Sequence, residues 1–267
     1  MLEQIEKPNN PALVLVKAGS HAPPIFIAPG GAENAQTVFP LGTRIQSRHA
    51  VYAIQTRGID GASTNESVEE MAQFCLDTIK EVQAREPYIL VGYSLGGLAM
   101  LEVANRLRER GEEVAFCALL DTYPHPRYWP MGCRIRFIAQ RVGHHAIKLK
   151  SLSWRAVIPY VITRYKLFVE LLRLPGRHKI NDTFWDSPKE RLGNVAWIRH
   201  RPRHYNGKIT FLRAESTTTF PKNPKSVWRK LVADLDIHTV PGDHRTMFDD
   251  HFESLASQLS ACLREID

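Results

Sequence analysis

One six-residue run constrains this chain more than any other. Gly92-Tyr93-Ser94-Leu95-Gly96-Gly97 closes an unbroken apolar stretch, 88–93, and is followed by Leu98, Leu101 and Ala104 at helical spacing. A short, wholly apolar strand is buried on both faces, as strands of a parallel sheet are. A strand that passes straight into a helix leaves the serine on a sharp turn, and flanking glycines let backbone approach backbone there. G-x-S-x-G in that setting reads as a nucleophile elbow, with the positive end of the helix aimed at the serine. A phosphate-binding loop is the competing Gly-rich strand-to-helix turn, but the run has neither its lysine nor the G-x-G-x-x-G spacing.

The rest of the chain supplies a sheet to hold that turn. Residues 12–16, 24–28, 51–55, 114–120, 208–212 and 237–240 are short apolar or β-branched runs bounded by turn residues. Between them, Ser67 and Glu70 have capping-box spacing ahead of Met71, Phe74, Cys75, Ile79 and Val82, which predicts a helix ending before Pro87. A second helix runs from the serine to Gly111, and a terminal one covers roughly 252–263. Strands alternating with helices predict an α/β fold, a mostly parallel sheet with helices on both faces. Residues 124–193 interrupt the alternation and read as an inserted helical lid, with breaks at Gly143, Pro159 and Pro175, inside a single domain covering 1–267.

Composition narrows the setting. With 43% hydrophobic and 24% charged residues in 267, the chain can bury a core without staples, and disorder is excluded. Cys75, Cys117, Cys133 and Cys262 lie far apart with no C-x-x-C pair, so reduced thiols, no metal site and a cytoplasmic location are expected. Residues 1–8 lack the basic and apolar stretches of a secretory signal. The apolar run 157–174 is broken by Arg164, Lys166 and Glu170, so no membrane span is expected. The formal charge is +7, and twelve basic residues against the single acid Glu170 fall between 125 and 180, which leaves the remainder net acidic. A basic lid admits an acidic protein, an anionic lipid surface or nucleic acid as partner, though no nucleic-acid motif accompanies it.

A nucleophilic serine needs a base, an acid to orient it and donors for an oxyanion. His244, in Val240-Pro241-Gly242-Asp243-His244, follows the last expected strand, where a Pro-Gly turn presents it at the carboxyl edge of the sheet; His251 is the second choice. Two acids stand at strand ends: Asp121 directly after 114–120, and Glu215 one strand later. The N–H of Leu95, next after the serine, and that of Gly30, in Pro29-Gly30-Gly31-Ala32, are the expected oxyanion-hole donors.

These segments together resemble one family. Ile25-Phe26-Ile27-Ala28-Pro29-Gly30-Gly31, the Ser94 run, Leu119-Leu120-Asp121-Thr122-Tyr123-Pro124 and the His244 run, in this order, are similar to the thioesterase domains of nonribosomal peptide and polyketide synthases, of the α/β-hydrolase superfamily. The resemblance implies that Ser94, Asp121 and His244 form the triad, favouring Asp121 over Glu215, and that 124–193 is a lid over an acyl channel. The family often has His where this chain has Ala28, so that position receives no role. The implied substrate is an acyl, polyketide or peptidyl chain on the phosphopantetheine arm of a carrier protein, released by hydrolysis or cyclisation, with no cofactor of the chain's own. Such carriers are generally acidic, and Arg134, Arg136, Arg141, Lys148 and Lys150 of the lid are the candidate docking residues. A general carboxyl-ester hydrolase shares every one of these residues, and a noncatalytic binding module of the same fold keeps the pocket without using them. Trp154, Tyr160, Tyr165 and Phe168 between the basic residues also fit a helix lying on a membrane surface.

Overall fold

The computed structural model describes residues 10–31, 33–55, 67–162, 195–217 and 220–266. Its strands are β1 (Leu13–Lys17), β2 (His21–Ala28), β3 (His49–Ile54), β4 (Tyr88–Tyr93), β5 (Val114–Leu120), β6 (Tyr205–Ala214) and β7 (Val232–Val240). They form one seven-stranded sheet in the order β1-β3-β2-β4-β5-β6-β7. Every neighbouring pair is parallel except β1 and β3, which run antiparallel, so the α/β expectation holds with one reversed edge.

The two-residue period of the strands sorts the core into two layers. Phe26, Tyr52, Leu90, Leu119 and Phe211 face one side, where helices α2 (Val68–Val82) and α3 (Leu95–Glu109) cover them. Ile25, Val51, Ile89, Ala118 and Leu212 face the other, under α1 (Phe39–Arg44) and the terminal helix Phe252–Leu263. Ser67 caps α2 as its spacing predicts: the side chain accepts the Glu70 N–H at 3.1 Å. The stop at Gly111 also holds, for that residue has φ +79°, the left-handed conformation in which glycine pays no steric penalty.

The structure corrects several boundaries. β7 begins at Val232 rather than 237, because Asp234 and Asp236 alternate with apolar residues on an edge strand, a pattern that hides it from an apolar-run search. α1 carries Pro40 and Gly42, and sequence reading passed over it. In the inserted segment, α4 (Met131–Ser151) runs unbroken through Gly143, and residues 154–162 are helical across Pro159, so neither residue is the expected break. Residues 163–194, and Pro175 with them, lie outside the described part. α4 turns Cys133 and Phe137 toward the body and leaves Met131, Ile135, Ile138, Val142 and Ile147 exposed.

Candidate active site

Ser94 sits between the last residue of β4 and the first of α3 with φ 52° and ψ −117°. A non-glycine residue held there costs of order 1–3 kcal/mol and persists only where its surroundings over-determine it. Here they do. The Ser94 N–H donates to Leu120 O at 3.0 Å, extending the β4–β5 ladder by one step. Each flanking glycine is an approach that no side chain could share. A Cβ on Gly92 would lie 2.5 Å from Gly96 O, one on Gly96 2.1 Å from Pro29 O, and one on Gly97 1.9 Å from Thr122 Oγ1. The run therefore wedges α3 against the ends of β2, β4 and β5 at once, which is why the spacing of glycines is so specific.

Asp121 occupies the same place on the neighbouring strand. It follows β5 with φ 40°, is 2% exposed, and donates its N–H to Leu212 O at 2.8 Å. Its Oδ1 accepts the Ala214 N–H at 3.0 Å and its Oδ2 lies 2.7 Å from His244 Nδ1. His244 Nε2 in turn lies 3.1 Å from Ser94 Oγ. An ionised carboxylate only accepts, so Nδ1 carries the proton and Nε2 is left to accept from the serine hydroxyl. The chain of hydrogen bonds from carboxylate to imidazole to hydroxyl is complete, and its members come from the ends of β4, β5 and β7.

The loop that carries His244 is held by its own backbone geometry and hydrogen bonds. Gly242 has φ +91°, and Asp243 Oδ1 accepts from the N–H groups of Arg245 and Thr246 at 3.0 and 2.9 Å. Those bonds hold the Asp243 carboxyl below the usual carboxylate range. The imidazole stacks on Tyr93 at 5.1 Å between centroids and meets the edge of Phe220, also at 5.1 Å. Tyr93 donates its hydroxyl to the His244 carbonyl, and burial pushes its phenol pKa far up, so it stays neutral.

Three indoles grip the segment that follows the acid. Trp228 Nε1 donates to Thr122 O at 3.3 Å, Trp197 Nε1 to Tyr123 O at 2.7 Å, and Trp129 Nε1 to Pro124 O at 3.0 Å. Three consecutive buried carbonyls are thereby satisfied in a stretch that has left the sheet. Sequence reading missed these tryptophans, and the Tyr93–Phe220 sandwich, because none follows a local pattern; the one clue is that buried Trp needs a partner for its N–H. His125, next along, has its pKa lowered to about 4 by burial and by Arg201, Arg127 and Arg134.

The expected residues are thus mostly gathered. Glu215 is exposed and its N–H bonds to Val240 O at 2.8 Å, while His251 packs against Gly242. Neither enters the hydrogen-bond chain. Leu95 is the first residue of α3, where helix geometry leaves its N–H without an intrahelical partner. Gly30 departs from expectation: its N–H is not open but donates to Glu33 Oε2 at 2.9 Å. Among the described residues, no group of three or more His, Cys, Asp or Glu side chains could hold a metal ion, and no helix is long and apolar enough to cross a membrane.

Residues 23–132 match the family model of the thioesterase domain. The malpibaldin synthetase of Mortierella alpina is 28% identical over 250 residues, 90% of this chain and 4% of that protein. The vanchrobactin synthetase VabF of Vibrio anguillarum is 36% identical over 110 residues, 41% of this chain and 4% of its own length. The chain therefore spans only a small part of these relatives. In fold it is similar to the NocB thioesterase domain, solved as a covalent complex with a fluorophosphonate nocardicin G analogue, with a TM-score of 0.60, 19% identity, and coverage of 91% of this chain and 95% of that one. By family model over residues 23–132, and by fold over most of its length, the chain is similar to thioesterase domains.

Proposed function

We propose that the chain releases an acyl, polyketide or peptidyl chain from the phosphopantetheine arm of a carrier protein through an acyl-Ser94 intermediate. The observation that carries this reading is the hydrogen-bond chain Asp121–His244–Ser94 at the carboxyl edge of the sheet. Ser94 Oγ attacks the thioester carbonyl as its proton passes to His244 Nε2, and a tetrahedral oxyanion forms against the Leu95 N–H. The C–S bond then breaks, and His244 returns the proton to the departing pantetheine sulfur. In the second half, water or a nucleophile within the acyl chain gives a proton to His244 as it attacks the acyl carbonyl, the C–Oγ bond breaks, and His244 passes that proton to Ser94 Oγ, which completes hydrolysis or cyclisation. Asp121 stays ionised throughout, orienting the imidazole and stabilising its cationic form. Gly30 remains the second oxyanion donor in this scheme, once its N–H leaves Glu33.

The carrier docks on the lid side, 124–193. In support, α4 exposes Arg136, Lys148 and Lys150 beside Ile135 and Ile138, with Arg134 half-buried, a basic and apolar surface suited to an acidic partner. The Arg141 side chain belongs to the same expectation but lies outside the described part. The four cysteines are free, three of them buried, which supports the cytoplasmic location. The test is a comparison of acylation rates from a carrier-bound thioester, a free pantetheine thioester and the matching oxygen ester at two salt concentrations. Fastest acylation from the carrier, weakened by salt, is expected; equal or faster reaction of the oxygen ester would make the chain a general carboxyl-ester hydrolase.

A further inference from the structure

The loop after β2 holds a contact for which the proposed reaction has no use. Gly30 N–H donates to Glu33 Oε2 at 2.9 Å, and Glu33 N–H donates back to Gly30 O at 3.3 Å. The carboxylate is half-buried, and burial raises its pKa against the opposing pulls of the Gly30 N–H, His244 and Arg245, with Asp249 adding to the rise. Its charge also reaches the Tyr93 phenol, which stacks on His244. Gly30 lies against both this carboxylate and the Tyr93 ring, since a Cβ there would meet Glu33 Oε2 at 2.5 Å and Tyr93 Cδ1 at 3.3 Å, so the half-buried Glu33 borders the site. The carbonyls of Ala28 and Pro29, just before this loop, pack directly on Gly96, which ties Gly30 to the turn that carries Ser94.

We propose that Glu33 gates the oxyanion hole: in the resting enzyme its carboxylate takes the Gly30 N–H that a tetrahedral oxyanion needs, and it leaves when an acyl carbonyl enters. This rests on the reading of Ser94 as nucleophile and Gly30 as second donor. A carboxylate is a stronger acceptor than a neutral thioester carbonyl. The carbonyl cannot displace it unaided, so the displacement draws on binding of the acyl chain and carrier elsewhere. Substrates with long acyl chains or a docked carrier open the gate, and small esters meet it closed. The contact thus selects for loaded carriers using one hydrogen bond.

The test compares wild type with E33A and E33Q. A small alkyl fluorophosphonate places its phosphoryl oxygen where the oxyanion forms, so its second-order labelling rate, read by intact mass, reports on the hole. E33A should label about tenfold faster, the scale expected from releasing one charge-assisted hydrogen bond, and a small aryl ester should gain similarly. E33Q, with a neutral acceptor for the same N–H, should fall between the two. Thermal melting monitors the fold, and if E33A melts early, E33Q decides, since it keeps the turn closed. E33Q no faster than wild type, or a well-folded E33A that is no faster, overturns the gate and leaves Glu33 as a loop brace or a partner of the imidazolium. No labelling of wild type at all would instead remove the Ser94 reading, and the gate with it.

Discussion

Replacing Asp121 by asparagine isolates what its carboxylate does, because the two side chains are nearly the same size and only the pattern of donors and acceptors changes. Asp121 accepts on both oxygens, from the Ala214 N–H at 3.0 Å and from His244 Nδ1 at 2.7 Å. Asparagine has one accepting oxygen and a donating NH2, so one of the two partners loses its acceptor. If the amide oxygen keeps Ala214, the NH2 faces Nδ1 and can bond only to a bare nitrogen. The imidazole then carries its proton on Nε2 and points a donor at Ser94 Oγ, 3.1 Å away, where an acceptor is required. If the oxygen turns to His244 instead, the NH2 confronts the Ala214 N–H and a buried donor goes unsatisfied, at about 1–3 kcal/mol. The first arrangement avoids that buried conflict and is the inactive one. A fall in kcat of about 10⁴ is expected, as for the same exchange in another serine triad, equal to about 5.4 kcal/mol of barrier. The assay is single-turnover acylation of Ser94 by a carrier-bound thioester, with thermal melting as a control. A D121N enzyme within tenfold of wild type would refute the assignment of Asp121 as the acid, and a larger loss in E215Q would transfer that role to Glu215.

Four further outcomes follow from the same geometry. Gly96→Ala drives a Cβ to 2.1 Å from Pro29 O, a backbone atom that cannot turn aside, so the variant should melt early and acylate at a small fraction of the wild-type rate. Trp228→Phe removes a donor from the Thr122 carbonyl and leaves a gap beside a fully buried ring; about 1–3 kcal/mol of stability should be lost in urea unfolding, with a smaller loss of kcat as the Asp121 loop loosens. His125 has its pKa lowered from 6.5 to about 4, so the unfolded chain binds its proton first and this residue's contribution to stability should be lost as pH falls from about 6.5 toward 4. His125→Gln should flatten that part of the melting profile. Reversing charge on α4 with R136E and K150E should slow acylation from the carrier and reduce its salt dependence, while leaving a free pantetheine thioester unaffected.

Legibility of the sequence tracked how local each signal was. β4, α3 and the turn between them are all encoded within 88–111, in one apolar run, the glycines at 92, 96 and 97 and a helical repeat, and the structure has the strand at Tyr88–Tyr93 and the helix at Leu95–Glu109, just short of Gly111. The strand that ends at Asp121 and the turn that carries His244 are likewise complete local statements. What pairs them is not local: the contact between His244 and Asp121 spans 123 positions, and the strand ends alone leave Glu215 as a rival, which only the 2.7 Å approach of Asp121 Oδ2 to His244 Nδ1 separates. β7 was legible only in part because its residues alternate on an exposed edge. The indole clamps on residues 122–124 arrive from 129, 197 and 228, and no pattern in any of those stretches announces them. The bond from Gly30 to Glu33 is three residues long, yet it too escaped, because Pro-Gly-Gly marks a turn without saying which N–H groups that turn leaves open.

The central claim is that Ser94 carries the acyl group between carrier and product, and intact-mass analysis after mixing the protein with an acyl-carrier thioester tests it most directly. A mass gain equal to the acyl chain, mapped to Ser94, formed within the turnover time and absent from S94A, is the predicted result. Turnover by S94A near the wild-type rate, or steady product release from an enzyme that never gains that mass, would contradict it.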